Sequence, residues 1–134
     1  MKRTVSLLLA LVLLLTLCGC GKKDGGASWQ EQYDLGVRYL SEGNYEEAVI
    51  AFTAAIEIDP KRPEAYVGRG DAYIGSGETE ETLAAARADY EKAIELDDTD
   101  MAAYLGLADV YVRLSEYDKA IELLREALEK ANGS

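Results

Sequence analysis

The chain has 134 residues with 14 basic and 25 acidic side chains, which gives a formal net charge of −11 at pH 7. This charge opposes binding to nucleic acid and to anionic lipid headgroups outside any local basic patch. The chain contains no histidine, so the commonest general base near neutral pH, and every triad built on it, are excluded.

The N-terminal segment has the composition of a secretory signal peptide. It starts with the basic stretch Met1-Lys2-Arg3 and continues with an almost unbroken apolar run from Val5 to Leu17. That run is shorter than the roughly 20 residues that a helix needs to span a bilayer. A basic start, a short apolar run and small residues after it are typical of a cleaved signal and not of a membrane anchor.

Cys18 and Cys20 follow this run and are the only cysteines of the chain. A thiolate metal site needs about four ligands, which two cysteines without histidine cannot complete. Their C-x-C spacing also differs from the C-x-x-C of redox pairs. A processing site is therefore the favoured interpretation.

The stretch Leu17-Cys18-Gly19-Cys20 resembles the lipobox of bacterial lipoproteins. The resemblance implies cleavage between Gly19 and Cys20, addition of diacylglycerol to Cys20, and a protein held by this lipid on the extracytoplasmic side of the cell membrane. Residues 1–19 would then be the signal peptide, and residues 20–28 the lipidated cysteine and a flexible linker. The alternative is an ordinary secretory signal, in which Cys20 remains a free thiol.

Three similar segments follow, at residues 29–62, 63–100 and 101–134. They begin at Trp29, Pro63 and Met101, so the middle copy is longer by four residues. Aligned positions hold Tyr39, Tyr73 and Tyr111; Ala48, Ala86 and Ala120; Phe52, Tyr90 and Leu124; Ala55, Ala93 and Ala127. Each first half is predicted to end at Gly43, Gly77 or Ser115.

The second half of the first segment shows the spacing of an amphipathic helix. Apolar residues recur there at i, i+3, i+4 and i+7, namely Tyr45, Ala48, Val49, Phe52, Ala55 and Ile56. Alanines allow a neighbouring helix to come close, and aromatic rings fill the space beside them. No segment alternates with a period of two for long, so the sequence predicts an all-α fold.

This pattern resembles the tetratricopeptide repeat, a helix–turn–helix unit of 34 residues. The resemblance implies three repeats with about six antiparallel helices in a short right-handed superhelix. The sequence departs from the family pattern at Arg69, where an apolar residue is expected, and at Arg87, where the other copies have Val49 and Ile121. Only Pro60 fills the proline position that ends a repeat. These departures leave the packing of the middle repeat open.

The four extra residues of the middle repeat lie between Glu78 and Ala85. Four residues make about one helical turn, so adding them to the start of the second helix keeps its buried face in phase. Thr79 is then the predicted N-cap, with Glu80 and Glu81 in the first turn. The alternative is a protruding acidic contact loop.

No other motif indicates catalysis or metal binding. The sequence has no Gly-rich phosphate loop followed by Lys-Ser or Lys-Thr. The acidic stretch from Asp97 to Asp100 lacks the glycine and the late glutamate of a calcium loop, and Asp100 is predicted to cap the next helix. We therefore expect no enzyme, no cofactor and no metal site.

In the tetratricopeptide family, the first helices of successive repeats line a concave groove that holds a peptide or a helix of another protein. The positions that the resemblance places in this groove are Gln30, Tyr33, Val37, Leu40, Glu64, Val67, Asp71, Ile74, Ala102, Leu105, Asp109, Val112 and Arg113. One branch of the family grips a C-terminal carboxylate with Lys, Asn and Arg. Those places are taken here by Tyr33, Val37, Gly68, Ala102 and Gly106, so that clamp is absent.

An apolar strip with acidic residues along it favours a partner with apolar anchors and some Lys or Arg; alternatively, its apolar members pack between helices. No polar capping helix follows the third repeat in the sequence, so Leu123 and Leu128 are expected to be partly exposed, which would suit self-association or docking. The predicted function is a membrane-anchored adaptor or scaffold for protein–protein interaction. The alternative is a pilotin-like assembly factor for an envelope secretion or pilus machine.

Overall fold

The computed structural model describes residues 26–133, and within them it contains six α-helices and no strand. Their bounds are α1 Trp29–Glu42, α2 Tyr45–Ile58, α3 Pro63–Ser76, α4 Glu80–Leu96, α5 Met101–Arg113 and α6 Tyr117–Asn132. The prediction of an all-α fold of three helical hairpins is confirmed. The predicted signal peptide, Gly19 and Cys20 lie outside the described residues.

Side chains at three N-caps define where helices begin. Ser28 Oγ accepts a hydrogen bond from the Glu31 amide at 3.2 Å, and the Ser28 amide donates to Glu31 Oε2 at 2.7 Å, which forms a capping box on α1. Thr79 caps α4 through the amide of Thr82. Asp100 caps α5 as predicted, because its Oδ1 accepts from the Ala102 amide at 3.0 Å.

The first helix of each repeat ends next to a residue with positive φ. These residues are the three predicted stop positions, Gly43 with φ 77°, Gly77 with φ 152° and Ser115 with φ 60°. Glycine tolerates this region without steric cost, whereas serine has a Cβ that crowds the backbone there. The turn after α5 therefore has a positive φ like the turn after α1, although serine is less suited to this conformation than glycine.

Each repeat is joined to the next by an aromatic ring from its second helix. Phe52 of α2 is fully buried and packs against Gly36 of its own repeat and Gly68 of the next. Tyr90 of α4 packs in the same way against Gly70 and Gly106. The glycines leave the space that these rings occupy, so the core runs continuously through the stack.

The four-residue insertion lengthens α4. This helix has 17 residues, against 14 in α2, and starts at Glu80 directly after the Thr79 cap. Leu83, which aligns with Tyr45, remains buried. The prediction of a longer helix is therefore confirmed, and the alternative of a protruding loop is wrong.

The middle repeat contains a buried ion pair that explains its departure at Arg69. Arg69 donates to both carboxylate oxygens of Asp89, from Nε at 2.8 Å and from Nη2 at 2.7 Å. Its Nη1 reaches Thr53 Oγ1 at 3.1 Å. Asp89 is 5% exposed, so a charge inside the stack is matched by a bidentate partner. Asp89 stands where the other repeats have Ala51 and Leu123.

Arg87 lies at the surface instead of in the core. It donates to Glu91 Oε1 at 2.8 Å, one turn along α4, and its guanidinium lies 5.4 Å from the centre of the Tyr111 ring. The side chain therefore covers the aromatic ring while its charge stays near solvent. None of the helices within residues 26–133 has the length and hydropathy needed to cross a membrane.

Candidate functional site

The first helices of the three repeats, α1, α3 and α5, lie side by side and contact each other in that order. They line one face of the stack, and a cavity of about 320 Å³ opens there. Its lining residues are Tyr33, Val37, Leu40, Phe52, Glu64, Val67, Gly68, Asp71, Asp100 and Ala102. We call this cavity and its lining the groove.

The structure brings together seven of the predicted groove residues around this cavity, which are Tyr33, Val37, Leu40, Glu64, Val67, Asp71 and Ala102. Val37 is 43% exposed, whereas Val67 also packs into the core between repeats. Some apolar members of the strip therefore border the cavity, and Val67 also packs between helices.

The remaining predicted positions lie outside the cavity lining. Ile74 packs into the core, and Gln30 donates to Asp34 at 2.8 Å. Leu105 and Val112 are exposed apolar residues of α5, at 56% and 48%. Further along the same helix, Arg113 binds Asp109 at 2.8 Å and also pairs with Glu78.

Two aromatic rings, Tyr33 and Phe52, line the groove near α1, and buried Trp29 supports Tyr33 from outside the lining. Trp29 and Tyr33 stack with their ring centres 4.7 Å apart, and the Tyr33 and Phe52 ring centres are 5.8 Å apart. The Arg62 guanidinium lies 3.3 Å from the centre of the Trp29 ring, a cation–π contact. These ring contacts hold Tyr33 in place, so its ring gives this end of the groove an apolar surface.

Carboxylates give the groove its charge. Glu64, Asp71 and Asp100 line the cavity, and the lining contains no basic residue. Partial desolvation by the surrounding helices raises the pKa of Asp71, although a hydrogen bond from the Tyr90 hydroxyl, at 2.6 Å, acts in the opposite direction. Desolvation, followed by the charges of Glu64 and Asp34, raises the pKa of Tyr33. The site therefore presents negative charge next to apolar surface.

Three lining residues, Phe52, Gly68 and Asp100, were not among the predicted groove positions, although the resemblance had placed Gly68 at a position of the carboxylate clamp. Phe52 belongs to a second helix, but its ring passes between α1 and α3 because Gly36 and Gly68 leave room for it. Asp100 is a helix cap whose carboxylate borders the cavity. Gly36 and Gly68 could have indicated that the Phe52 ring lies between α1 and α3. No local sequence pattern indicates that Asp100 borders the cavity.

No group of three or more Cys, Asp or Glu side chains within residues 26–133 is placed to hold a metal ion. The features that stand out are a concave, partly apolar surface and its acidic residues.

Comparisons with known proteins agree with the repeat architecture. The family described as TPR repeat matches residues 36–77, and the one described as tetratricopeptide repeat matches residues 80–134. No curated protein sequence matches.

Several solved structures share this fold. The TPR2B-domain:pHsp70-complex of yeast Sti1 is 30% identical with a TM-score of 0.71, over 79% of this chain and 85% of that chain. The TPR2AB-domain:pHSP90-complex of yeast Sti1 is 29% identical with a TM-score of 0.71, over 76% of this chain, but the match spans 38% of that longer chain. A MamA crystal structure is 25% identical with a TM-score of 0.73, over 81% of this chain and 57% of that chain.

The helical hairpins, the ring-to-glycine contacts between repeats, the family matches and the similarity to the yeast TPR2B domain all agree. This chain belongs to the tetratricopeptide repeat family.

Proposed function

We propose that this protein is an adaptor that holds a partner protein through the groove. The observation that carries the proposal is the cavity between α1 and α3, whose lining combines the rings of Tyr33 and Phe52, exposed Val37 and three carboxylates. Two similar yeast structures are complexes with pHsp70 and pHSP90, which supports a protein or peptide as the ligand.

The chemistry of the groove favours a partner segment with apolar anchors and Lys or Arg. Glu64, Asp71 and Asp100 would attract cationic side chains, and the apolar lining would bury the anchors. No basic residue of the lining can pair with a terminal carboxylate, so a segment with an acidic end is disfavoured. Attraction of this kind weakens as salt rises, because part of the site is open to solvent.

The finer proposal places this adaptor at a membrane. The lipobox-like stretch supports lipidation of Cys20 and attachment to the extracytoplasmic side of the cell membrane, with residues 20–28 as the linker. Replacing Cys20 with alanine is expected to move the protein from the membrane fraction to the soluble fraction, while Cys18→Ala leaves it in place. Equal membrane attachment of both variants and wild type would contradict this anchor.

The experiment that tests groove binding is cross-linking in cells, followed by affinity purification and mass spectrometry. The groove variant combines Val37→Glu, Glu64→Lys and Ala102→Glu, all at exposed positions of the lining. The matched control is Ile50→Glu, at a position that is 70% exposed and lies outside the groove. Circular dichroism first establishes that both variants retain the helical content of wild type.

A partner captured by wild type and by the control but lost in the groove variant is the expected result. Capture by all three chains would contradict groove binding. The identity of the partner also separates the adaptor from the alternative assembly factor, which would be supported by capture of a subunit of a secretion or pilus machine.

A further inference from the structure

An exposed apolar stripe runs along α6, the last helix of the stack. It consists of Tyr117, Ile121, Leu124 and Leu128, which are 58%, 51%, 40% and 60% exposed. Their spacing of four, three and four residues places them on one face of the helix. No other element of residues 26–133 packs over these side chains. We call these four residues the terminal face.

Residues at the equivalent positions of the first two repeats pack against the repeat that follows. Tyr45 aligns with Tyr117 and packs against Gly75 of α3. Phe52 and Tyr90 both align with Leu124. Phe52 packs against Gly68, and Tyr90 packs against Gly106. The terminal face is therefore the surface that this fold uses to bind a further element.

A second copy cannot bind the terminal face in the same way, with its α1 in the place of a fourth repeat. The side that α3 and α5 turn to the preceding repeat has small or apolar residues, which are Ala65, Gly68 and Ala72 in α3 and Ala103, Gly106 and Val110 in α5. The aligned residues of α1 are Glu31, Asp34 and Arg38, all exposed. Stacking would press Asp34 against Leu124 and desolvate its carboxylate, whose hydrogen bond from Gln30 supplies no opposite charge. The first repeat is thus a polar end.

The terminal face is complementary to itself when two α6 helices run antiparallel. In that arrangement Tyr117 lies opposite Leu128 of the second copy, and Ile121 lies opposite Leu124 of the second copy. Asp118 and Arg125 occupy the solvent side of the face, one heptad apart. Each would then lie near the opposite charge of the second copy.

The charges along α6 agree with this pairing. No ion pair within the described part of the chain uses Asp118 or Arg125, so both charges are available to a second copy. On the other side of the face, Ala120 and Ala127 are buried in the chain's own repeat. The second copy is therefore limited to the apolar stripe and the side that carries these charges.

We propose that two copies of this chain associate through their terminal faces, as an antiparallel α6–α6 pair around a two-fold axis. The pair buries four apolar side chains of each copy and places two Asp118–Arg125 ion pairs at its rim. The groove lies on α1, α3 and α5, so both grooves remain open. A partner with two docking segments would bind such a pair with increased avidity.

Sedimentation equilibrium of the full chain in density-matched detergent tests this proposal, because it measures the mass of the protein without the micelle. We expect wild type to approach twice the monomer mass as concentration rises. Leu124→Glu should abolish the association by placing a charge in the centre of the apolar stripe. Ile50→Glu, which introduces the same charge at an exposed position of α2, is the matched control and should associate like wild type.

The ion pairs provide a test of the register. Asp118→Arg places two like charges at each rim and should weaken association roughly tenfold. Adding Arg125→Asp exchanges both charges and should restore association. Three results would overturn the proposal: a monomeric wild type, association that is insensitive to Leu124→Glu, or an open series of larger species. Failure of the charge exchange to restore association would overturn the antiparallel pairing.

Discussion

At the scale of single residues, the middle repeat replaces apolar contacts with a matched pair of charges. Arg69 stands where the other repeats have Leu35 and Leu107, and Asp89 stands where the first repeat has Ala51. The hydrogen bonds to Asp89 raise the pKa of Arg69, so the guanidinium stays charged. Buried pairs of this kind add little to stability, but the loss of one partner leaves an uncompensated charge.

Arg69→Leu is therefore expected to lower the free energy of unfolding by about 3–5 kcal/mol. The double variant Arg69→Leu with Asp89→Ala restores the residues of the first repeat, and it should return to within about 1 kcal/mol of wild type because no buried charge remains. Urea unfolding of wild type, Arg69→Leu, Asp89→Ala and the double variant measures the coupling free energy between the two side chains. Additive effects of the two substitutions would show that the charges do not act as a pair.

Asp71 gives the stability a component that depends on pH. Its pKa in the folded chain lies above the unfolded value of about 3.9, so the folded chain binds this proton more strongly. Protonation of Asp71 therefore stabilises the folded chain. This contribution to the free energy of unfolding is fully present below the pKa of Asp71 in the unfolded chain, and it is lost as the pH rises through its pKa in the folded chain. Asp71→Asn keeps an oxygen acceptor for the Tyr90 hydroxyl but removes the titration.

The stability of Asp71→Asn relative to wild type is therefore expected to rise as the pH increases above about 4, the pKa of an aspartate in the unfolded chain. Urea unfolding of both chains at several pH values measures the difference. Asp97, whose pKa is lowered mainly by its hydrogen bond from the Thr99 hydroxyl, has the opposite pH dependence, but it is present in both chains and cancels. A difference that does not change with pH would show that Asp71 titrates alike in the folded and unfolded chains.

At the scale of helices, the distance between repeats is determined by glycines that face aromatic rings. A Cβ at residue 106 would lie 2.3 Å from Cε1 of Tyr90, and the Tyr90 side chain is 2% exposed, so the ring has little room to move. Glycine lowers the helix propensity of α5 by about 1 kcal/mol relative to alanine. The packing of the Tyr90 ring against residue 106, which requires glycine there, offsets this loss of helix propensity.

Gly106→Ala is expected to destabilise the protein by roughly 1–3 kcal/mol, because overpacking outweighs the gain in propensity. Adding Tyr90→Leu, which introduces the residue found at the aligned position 124 of the third repeat, removes the ring that clashes. In this background the same alanine should be neutral or stabilising. Thermal unfolding of the four chains measures the effect, and an alanine that destabilises equally in both backgrounds would contradict the argument.

At the scale of the whole molecule, the stack is stabilised unevenly. The middle repeat has a neighbour on both sides, whereas α6 leaves Leu128 60% exposed. In a repeat array, stability is approximately the sum of the repeats and the interfaces between neighbours. The third repeat therefore has the least support within the described chain.

Amides of α6 are expected to exchange with solvent through openings of lower free energy than those of α3 and α4. Hydrogen exchange measured by NMR tests this order. Leu124→Glu is the chain to use, because this variant is expected to abolish the pairing of two copies that would otherwise protect α6. Uniform protection across all six helices would show that the repeats open as one unit.

The sequence predicted the helices and their hairpin connections, and its resemblance to the tetratricopeptide repeat predicted seven of the ten residues that line the groove. Positions repeated three times reveal which face of each helix is buried, and Thr79 and Asp100 identify helix starts through local hydrogen bonds that do not depend on the rest of the fold. The predicted strip was less reliable at Ile74, because an apolar residue on a first helix can line the groove or fill the core.

Which side chains from distant parts of the sequence meet could not be predicted and became visible in the folded chain. The pairing of Arg69 with Asp89, the insertion of Phe52 between α1 and α3, and the position of Asp100 at the groove all join residues from different helices. Such contacts depend on how closely the helices pack and on their rotation, to which many weak interactions contribute. A local spacing rule describes one helix at a time and does not contain that information.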